Sequence, residues 1–404
     1  MVRKGWKQVT LGDIALFQGG SQPPLSVFSS QKKAGYIRLV QIRDYKTDKY
    51  ATYIPEKLAK RFCKQDDIMI GRYGPPIFQI LRGIEGAYNV ALIKALPQGV
   101  DKEFLYHTLK REDLFEYIDL LSRRTSGQTG VDLTNLKAFE LSIPVLTDEQ
   151  ATIAKALSDV DSLISSLQKL IEKKKAIKQG AMQELLTGQK RLPGFSMEWS
   201  QAPFEDLFDF LPTNAFTRDQ MTDTGTIQNV HYGDILTKYG ACLDMANTDV
   251  PYLLESVSVR KYSESSYVRA GDVIIADTAE DSTVGKCVEL VNVHGKVLSG
   301  QHTMLCRPKI AFAPKFLGYY MNAECFHNQM LPFITGIKVS SISKANISML
   351  VLKYPTLVEE QQAIAQVFSD MDNEIAQLEK KLAKYQQIKQ SMMQELLTGR
   401  IRLV

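Results

Sequence analysis

Met182-Gln183-Glu184-Leu185-Leu186-Thr187-Gly188 reads MQELLTG, and residues 393–399 read MQELLTG again, 211 positions later. Extended backwards without a gap, residues 148–188 align with 359–399, and 21 of the 41 positions are identical. The identities include Glu149/Glu360, Gln150/Gln361, Ile153/Ile364, Ser158/Ser369, Asp159/Asp370, Asp161/Asp372 and the block Ile177-Lys178-Gln179/Ile388-Lys389-Gln390. Ungapped identity over this length marks an internal duplication, and a duplication governs every later reading of a fold. Further upstream the likeness is fainter and its offset drifts. Asn135/Asn346 and Pro144/Pro355 keep the offset of 211, Asp67-Ile68-Met69-Ile70 matches Asp272-Val273-Ile274-Ile275 at 205, and Trp6 with Leu11-x-Asp13-Ile14 matches Trp199 with Phe204-x-Asp206-Leu207 at 193. The drift concentrates insertions in the segment before each matched stretch. One part of the unit is held alike in both copies, and the other is free to differ.

The part held alike reads as helix. Ile153, Leu157, Val160, Ile164, Leu167 and Ile171 are spaced 4, 3, 4, 3, 4, and Ile364, Phe368, Met371, Ile375, Leu378, Leu382 and Tyr385 are spaced 4, 3, 4, 3, 4, 3. That is an a/d seam with a period of about 3.5, the pattern of a coiled coil. No Pro or Gly interrupts 148–179, and Gly180 is a modest local weakness. Thr147-x-x-Gln150 predicts a capping box. Gly188 and Gly399 stand where a C′ glycine ends a helix, and Pro193 follows the first. Each helix is expected to run about 40 residues, about 60 Å at 1.5 Å per residue. So narrow a seam suits another helix better than a globular core. The two are therefore expected to pack on each other, antiparallel so that the globular segments sit apart. The plainer alternative is a surface helix packed on its own domain. Lys173-Lys174-Lys175 reads as a solvated helix face, with phosphate or partner contact as the second reading.

The globular segments read as mixed α and β. Strand-like runs include Tyr36-Ile37-Arg38-Leu39-Val40, Ile68-Met69-Ile70, residues 272–276 and Met349-Leu350-Val351-Leu352, while residues 104–121 and 315–326 have helical periodicity. The expected architecture is α+β. Two mixed α/β domains, 1–146 and 193–357, are joined by two long antiparallel coiled-coil helices, 147–192 and 358–404, in a pseudo-two-fold internal repeat.

Composition sets limits. Of 404 residues 44% are hydrophobic and 23% charged, the balance of a packed soluble protein. No run of eighteen apolar residues occurs, so no transmembrane helix is expected. The opening MVRKGWKQVTLGD has no apolar h-region, so no secretory signal is expected. The five cysteines are scattered singly without C-x-x-C spacing, which fits a reducing cytoplasm and argues against structural zinc. A net charge of +4 is only a mild basic bias. If the protein binds DNA, its positive charge must be gathered on one face.

Several loops carry residue types suited to bases and phosphates. The first globular segment offers Arg38, Gln41, Arg43 and Tyr45, then Arg72 and Tyr73 directly after a strand, then Arg123, Arg124, Thr125 and Gln128. The second offers Asn229, His231 and Tyr232, then Lys238 and Tyr239, then Gln301 and His302, then Lys338, Ser340, Ser341 and Lys344. Arg pairs bidentately with guanine, Asn and Gln with adenine, while Ser, Thr and Lys suit phosphates. Taken singly, each is equally readable as ordinary surface polarity. The loops at 123–129 and 338–344 stand at matching places, just before each long helix, and together they favour phosphate contact.

Catalytic patterns are missing. There is no G-x-x-x-x-G-K-[ST] phosphate loop and no H-E-x-x-H, and the five histidines are not spaced as a metal cluster. Gly74-Pro75-Pro76-Ile77-Phe78 is superficially similar to the [ND]-P-P-[FY] box of adenine methyltransferases. It lacks the Asn or Asp for the target amine, has Ile where the stacking aromatic belongs, and reads as a turn. No catalytic residue and no metal ligand is expected on this chain.

The pattern resembles the specificity (S) subunit of type I restriction–modification systems over essentially the whole chain. The carriers are the repeated helix ending in MQELLTG, the P-x-x-x-x-E-Q lead-in (Pro144 to Gln150, Pro355 to Gln361) and the D-[IV]-[MI]-I strand. Gly71-Arg72-Tyr73-Gly74 and His231-Tyr232-Gly233-Asp234-Ile235 are also similar to motifs of target-recognition domains in that family. The resemblance implies that each globular segment reads one half of a split, asymmetric site on double-stranded DNA, with the helices as an antiparallel spacer. It implies two modification subunits carrying S-adenosylmethionine and adenine chemistry, and restriction subunits carrying ATP and Mg. None of those cofactors is expected here, and the protein is expected in the cytoplasm, off the membrane. Two other readings stay open from the residues: a coiled-coil scaffold or regulator that reads no DNA, and the specificity subunit of a type IIB system.

Overall fold

The computed structural model describes residues 4–123, 130–336 and 338–403. The chain divides into two compact units, Met1–Gln168 with Lys380–Val404, and Lys169–Glu379. Both divisions fall inside long helices, Thr147–Leu185 and Val358–Leu396, each of 39 residues. Each unit thus holds the start of one long helix and the end of the other.

The two units share a topology. In the first, strand Trp6–Thr10 pairs antiparallel with Glu140–Pro144, Trp6 opposite Pro144. In the second, Trp199–Pro203 pairs with Val351–Pro355, Trp199 opposite Pro355. The first unit has a four-stranded sheet ordered Ala15–Gly19, Leu92–Pro97, Ile68–Gly71, Ile80–Leu81. The second has a five-stranded sheet ordered Phe208–Leu211, Thr303–Pro308, Val273–Ala276, Cys287–Val291, Cys242–Asp244. The D-[IV]-[MI]-I strands are interior to these sheets and fully buried, which is why they read as continuous apolar runs. A second sheet in each unit contains one parallel pair, Tyr36–Val40 with Gly86–Tyr88 and Ile227–Val230 with Lys296–Ser299.

Two helices expected from periodicity are each broken in two. Residues 104–121 fall into Lys102–Leu109 and Glu112–Arg123, with Arg111 at the break gripping Asp113 (2.6 Å). Residues 315–326 fall into Phe316–Met321 and Glu324–His327. There the Asn322 side chain donates to Gly318 O (2.7 Å) and Cys287 O (2.9 Å), a local bond that competes with helix propagation. The last strand starts at Val351 rather than Met349, because Leu350 closes a turn on Ile347.

The seam residues have two fates. Ile153 and Leu157 join the first unit's core with Ile68, Phe104, Ile143 and the end-of-helix leucines Leu396 and Leu397. Ile364 and Phe368 join the second unit's core with Val273, Phe316, Leu352, Leu185 and Leu186. The leucines of MQELLTG therefore complete the core of the unit built around the other copy's helix start. The expectation of a purely helix–helix seam is corrected for these four residues. Each helix starts directly after a sheet strand, so its first two turns lie on the domain. Leu167, Ile171 and Ile375 are buried farther along, and Val160, Ile164, Met371, Leu378, Leu382 and Tyr385 are half-buried.

Within each unit the long helices run antiparallel. In the first, Leu396 and Leu397 share a cluster with Ile153, while Lys389 pairs with Asp161 (2.5 Å). In the second, Lys178 pairs with Asp372 (2.5 Å) and Lys174 with Glu374 (2.7 Å). Lys175 also reaches Glu379 (2.7 Å), so two of the three lysines expected on a solvated face bridge to the other helix instead.

The expected capping box is also corrected. Gln150 is buried: its Nε2 donates to Pro144 O (2.9 Å) and its Oε1 accepts from Asp101 N–H (2.9 Å). Gln361 repeats this with Pro355 O (2.8 Å) and Ala313 N–H (2.9 Å). These glutamines tie the strand, the helix start and the neighbouring loop together. Beside them, Trp6 Nε1 donates to Glu149 (3.3 Å), whose carboxylate is gripped by Arg402 (2.8 and 2.7 Å). Trp199 donates to Glu360 (3.4 Å), gripped by Arg191 (2.6 and 2.6 Å). Gly399 (φ +68°) packs so closely on Trp6 that a Cβ would lie 2.8 Å from the ring, so the glycine serves both the turn and the contact. Arg191 and Arg402 extend the repeat as G-x-x-R-L, a match visible in the sequence.

Candidate nucleic-acid interface

In each unit the same three backbone hydrogen bonds join four loop segments. In the first unit Asn89 N–H donates to Val40 O (3.1 Å), Arg72 N–H to Ala91 O (2.8 Å) and Val131 N–H to Arg72 O (2.9 Å). In the second, Gly300 N–H donates to Val230 O (2.9 Å), Asp277 N–H to His302 O (3.1 Å) and Ile342 N–H to Asp277 O (3.0 Å). The segments follow corresponding strands, so Gln41 corresponds to His231, Arg72 to Asp277, and Tyr73 to Thr278. Tyr73 forms a bridge with Gly130, and Thr278 pairs with Ser341. A Cβ on Gly130 would meet the Tyr73 ring at 2.8 Å, so glycine is what admits that ring.

On the first unit's cluster, Arg43 is exposed and lies 5.9 Å from the Tyr50 ring centre. Gln41 is half-buried and donates to Thr52 Oγ1 (3.1 Å). Arg72 is half-buried, lies against Tyr73 (5.4 Å to the ring centre), and makes no ion pair among the described residues. Two expected contacts are reassigned. Arg38 is held by Asp48 (2.7 Å) and Asp44 (3.5 Å). Tyr45 packs into an apolar cluster with its hydroxyl buried, and burial pushes its pKa well up. Burial also raises the pKa of Asp44, against the Gln41 N–H and Arg38, which favour its charged form. Arg124, Thr125 and Gln128 lie outside the described residues. Arg123 ends the helix Glu112–Arg123, and its side chain is likewise outside the description.

On the second unit's cluster, the Tyr232 ring meets His302 edge-on at 5.2 Å. His302 and Ser341 are exposed, Gln301 and Ser340 half-buried, and Lys338 and Lys344 exposed beside them. Lys238 is exposed and donates to Asp249 O (2.8 Å). Three expected contacts are reassigned. Asn229 is fully buried and accepts from Asn214 (2.6 Å), and Tyr239 is a core residue. His231 is buried, with Nδ1 accepting from Gly233 N–H (3.1 Å); burial and then Arg218 push its pKa down. Each is held inside the unit by burial or by hydrogen bonds to its own neighbours. Sequence reasoning missed Asp277 and Thr278, which follow a buried strand as Arg72 and Tyr73 do. The drifting offset of the D-[IV]-[MI]-I match carried that signal.

The arrangement offers hydrogen-bond donors, acceptors and aromatic faces on joined loops. Among the described residues, no group of three or more His, Cys, Asp or Glu could hold a metal ion, and no helix is long and apolar enough to cross a membrane.

Comparisons with known proteins bear on the family and the overall fold. A family profile described as "Type I restriction modification DNA specificity domain" matches residues 3–179 and again 197–390. The chain is 23% identical to the type I restriction enzyme MjaVIII specificity subunit of Methanocaldococcus jannaschii, covering 100% of this chain and 94% of that protein. It is 24% identical to a putative type I restriction enzyme MjaX specificity subunit of the same organism, covering 92% and 84%. In fold it is similar to the type I restriction–modification S subunit from M. genitalium, with a TM-score of 0.59 at 13% identity, covering 98% of this chain and 96% of that one. A chain from a structure concerned with complex assembly and conformational transition of the type I system gives 0.57 at 15% identity, covering 99% and 100%.

Proposed function

The chain belongs to the type I restriction–modification DNA specificity family, and from that premise we propose that it reads a two-part DNA site without catalysing a reaction. Each unit recognises one half, through the four joined segments. The observation that carries this is the pair of clusters with one backbone hydrogen-bond pattern and unlike side chains. Arg72 and Tyr73 stand where the second unit has Asp277 and Thr278. Two copies of one frame with different reading groups suit two unlike half-sites rather than a palindrome. The long helices hold the interval between half-sites and carry two modification subunits. The S-adenosylmethionine chemistry, and the ATP- and Mg-dependent work of any restriction subunits, reside on those partners. Phosphate contacts supply the non-specific affinity, which falls with salt.

The test is an exchange of residues 1–146 for those of another recognition domain, followed by methylome sequencing of the host. One half of the methylated site changes and the other stays. A change in both halves, or in neither, overturns the reading.

A further inference from the structure

We propose that Asp277 is a specificity-determining residue of the second unit. It accepts a hydrogen bond from a base with an exocyclic amine at its major-groove edge, whereas Arg72, its counterpart in the first unit, donates to guanine. This rests on the DNA-reading function above and assigns chemistry to one position of each half-site.

The correspondence comes from the backbone. Both residues directly follow the buried interior strand, both donate N–H to the neighbouring turn, and both accept from the segment before the long helix. The side chains carry opposite charge. Arg72 has no ion-pair partner among the described residues. Asp277 has no lysine or arginine partner among the described residues. Its side chain is 26% exposed, its Oδ1 accepts from the Thr278 hydroxyl (2.8 Å), and its Oδ2 has no hydrogen-bond partner among the described residues. The nearest basic group is His302 Nδ1, at 3.8 Å.

Other carboxylates nearby are treated differently. Asp272, five residues earlier, is held by Arg307 at 2.9 and 2.7 Å. Asp234 is paired with Arg218 (2.9 Å). An unneutralised carboxylate among DNA phosphates is repelled wherever it lands. It becomes favourable when it meets a donor on a base, and cytosine N4 and adenine N6 are the donors the major groove presents. Such a group rejects wrong sequences by repulsion as well as selecting the right one.

A second observation points to the same spot. His302 holds a left-handed backbone (φ +53°), an uncommon state for a residue with a side chain, and its carbonyl accepts the Asp277 N–H. The strained turn sets an imidazole beside the carboxylate, with Tyr232 edge-on behind it. The partly exposed carboxylate thus lies beside an imidazole that itself packs on the Tyr232 ring.

The experiment uses the full chain in complex with its modification subunit. Binding is measured on duplexes varied at each position of both half-sites and on non-specific DNA. Asp277→Ala is expected to lose about ten- to hundredfold discrimination at one base pair of the second half-site, with the first half-site unchanged. Non-specific binding stays level or strengthens, because a repelling charge is gone. Asp277→Asn, nearly isosteric and so safe for folding, is expected to prefer adenine at that position. Arg72→Ala relaxes a guanine in the first half-site only. Full discrimination at every position in Asp277→Ala overturns the inference. So does an even loss across all positions with weaker non-specific binding, which marks a role in folding. If the wild-type complex shows no two-part site, the function proposed above fails instead.

Discussion

The two units place their duplicated parts under opposite rules. At the helix joints, side chains and backbone repeat together: Trp6, Glu149, Gln150 and Arg402 are matched by Trp199, Glu360, Gln361 and Arg191, with the same partners. At the loop clusters the backbone hydrogen bonds repeat while the side chains change, Arg72 to Asp277 and Tyr73 to Thr278. The joints are buried, and a buried polar group must keep its partner or bear its desolvation. The clusters are held by main-chain groups, which every residue but proline supplies, so their side chains answer to what they touch outside. One molecule thus shows where a fold constrains a residue and where it leaves it free.

The comparison can be broken most forcefully in the cores. Phe368→Ala is expected to cost the second unit about 4 kcal/mol, and Leu157→Ala, at the same repeat position, to cost the first about 3 kcal/mol. The chain has two tryptophans, Trp6 and Trp199, one per unit, so urea unfolding of Trp199→Phe and Trp6→Phe backgrounds reports each unit separately. Equal losses in both units from either change would show that the cores do not melt independently.

Arg191→Ala comes next. It strands the Glu360 carboxylate, whose side chain is 1% exposed, and is expected to cost about 3 kcal/mol. Arg402→Ala strands Glu149, 8% exposed, and should cost less. The same tryptophan probes rank the two, and the reverse order would deny burial as the cause.

The units should also part company with pH. Burial pulls His107 of the first unit down to about 4 from 6.5, so folding favours its neutral form. Its contribution is present above pH 6.5 and lost as pH falls through about 4. Burial pushes Glu289 of the second unit up to about 7 from 4.5, against the N–H groups of Gly318 and Lys315. Its contribution is present below pH 4.5 and lost as pH rises through about 7. Urea midpoints across this range should fall on the acid side for the first unit and on the alkaline side for the second. Glu289→Gln flattens the alkaline limb; an unaltered limb would assign it elsewhere.

The smallest effect tests the symmetry itself. Lys178–Asp372 and Lys389–Asp161 are matching half-exposed pairs, and alanine at either lysine should cost about 0.5 kcal/mol, less in high salt. Clearly unequal costs would show that the two helix contacts are not equivalent.

Much of this was legible residue by residue. MQELLTG and its upstream matches announced two copies, the 3.5-residue spacing announced their helices, and buried strands such as Ile68–Gly71 stood out as apolar runs. Gln150 misled as a cap because its sequence pattern is the same whether the side chain turns to its own helix or to Asp101. Asn229, His231 and Tyr239 misled because polarity does not report burial. Asp277 was overlooked because its counterpart is an arginine, although the offset of 205 aligns the two and the hydrogen bonds repeat the match.

By itself the sequence determined the duplication, the two long helices and their family, because repetition and periodicity are local properties of a chain. Only the tertiary structure decided that each MQELLTG completes the core built on the other copy's helix start, and which polar residues reach solvent. Those outcomes depend on contacts between residues far apart in number, where burial rather than residue type sets the role.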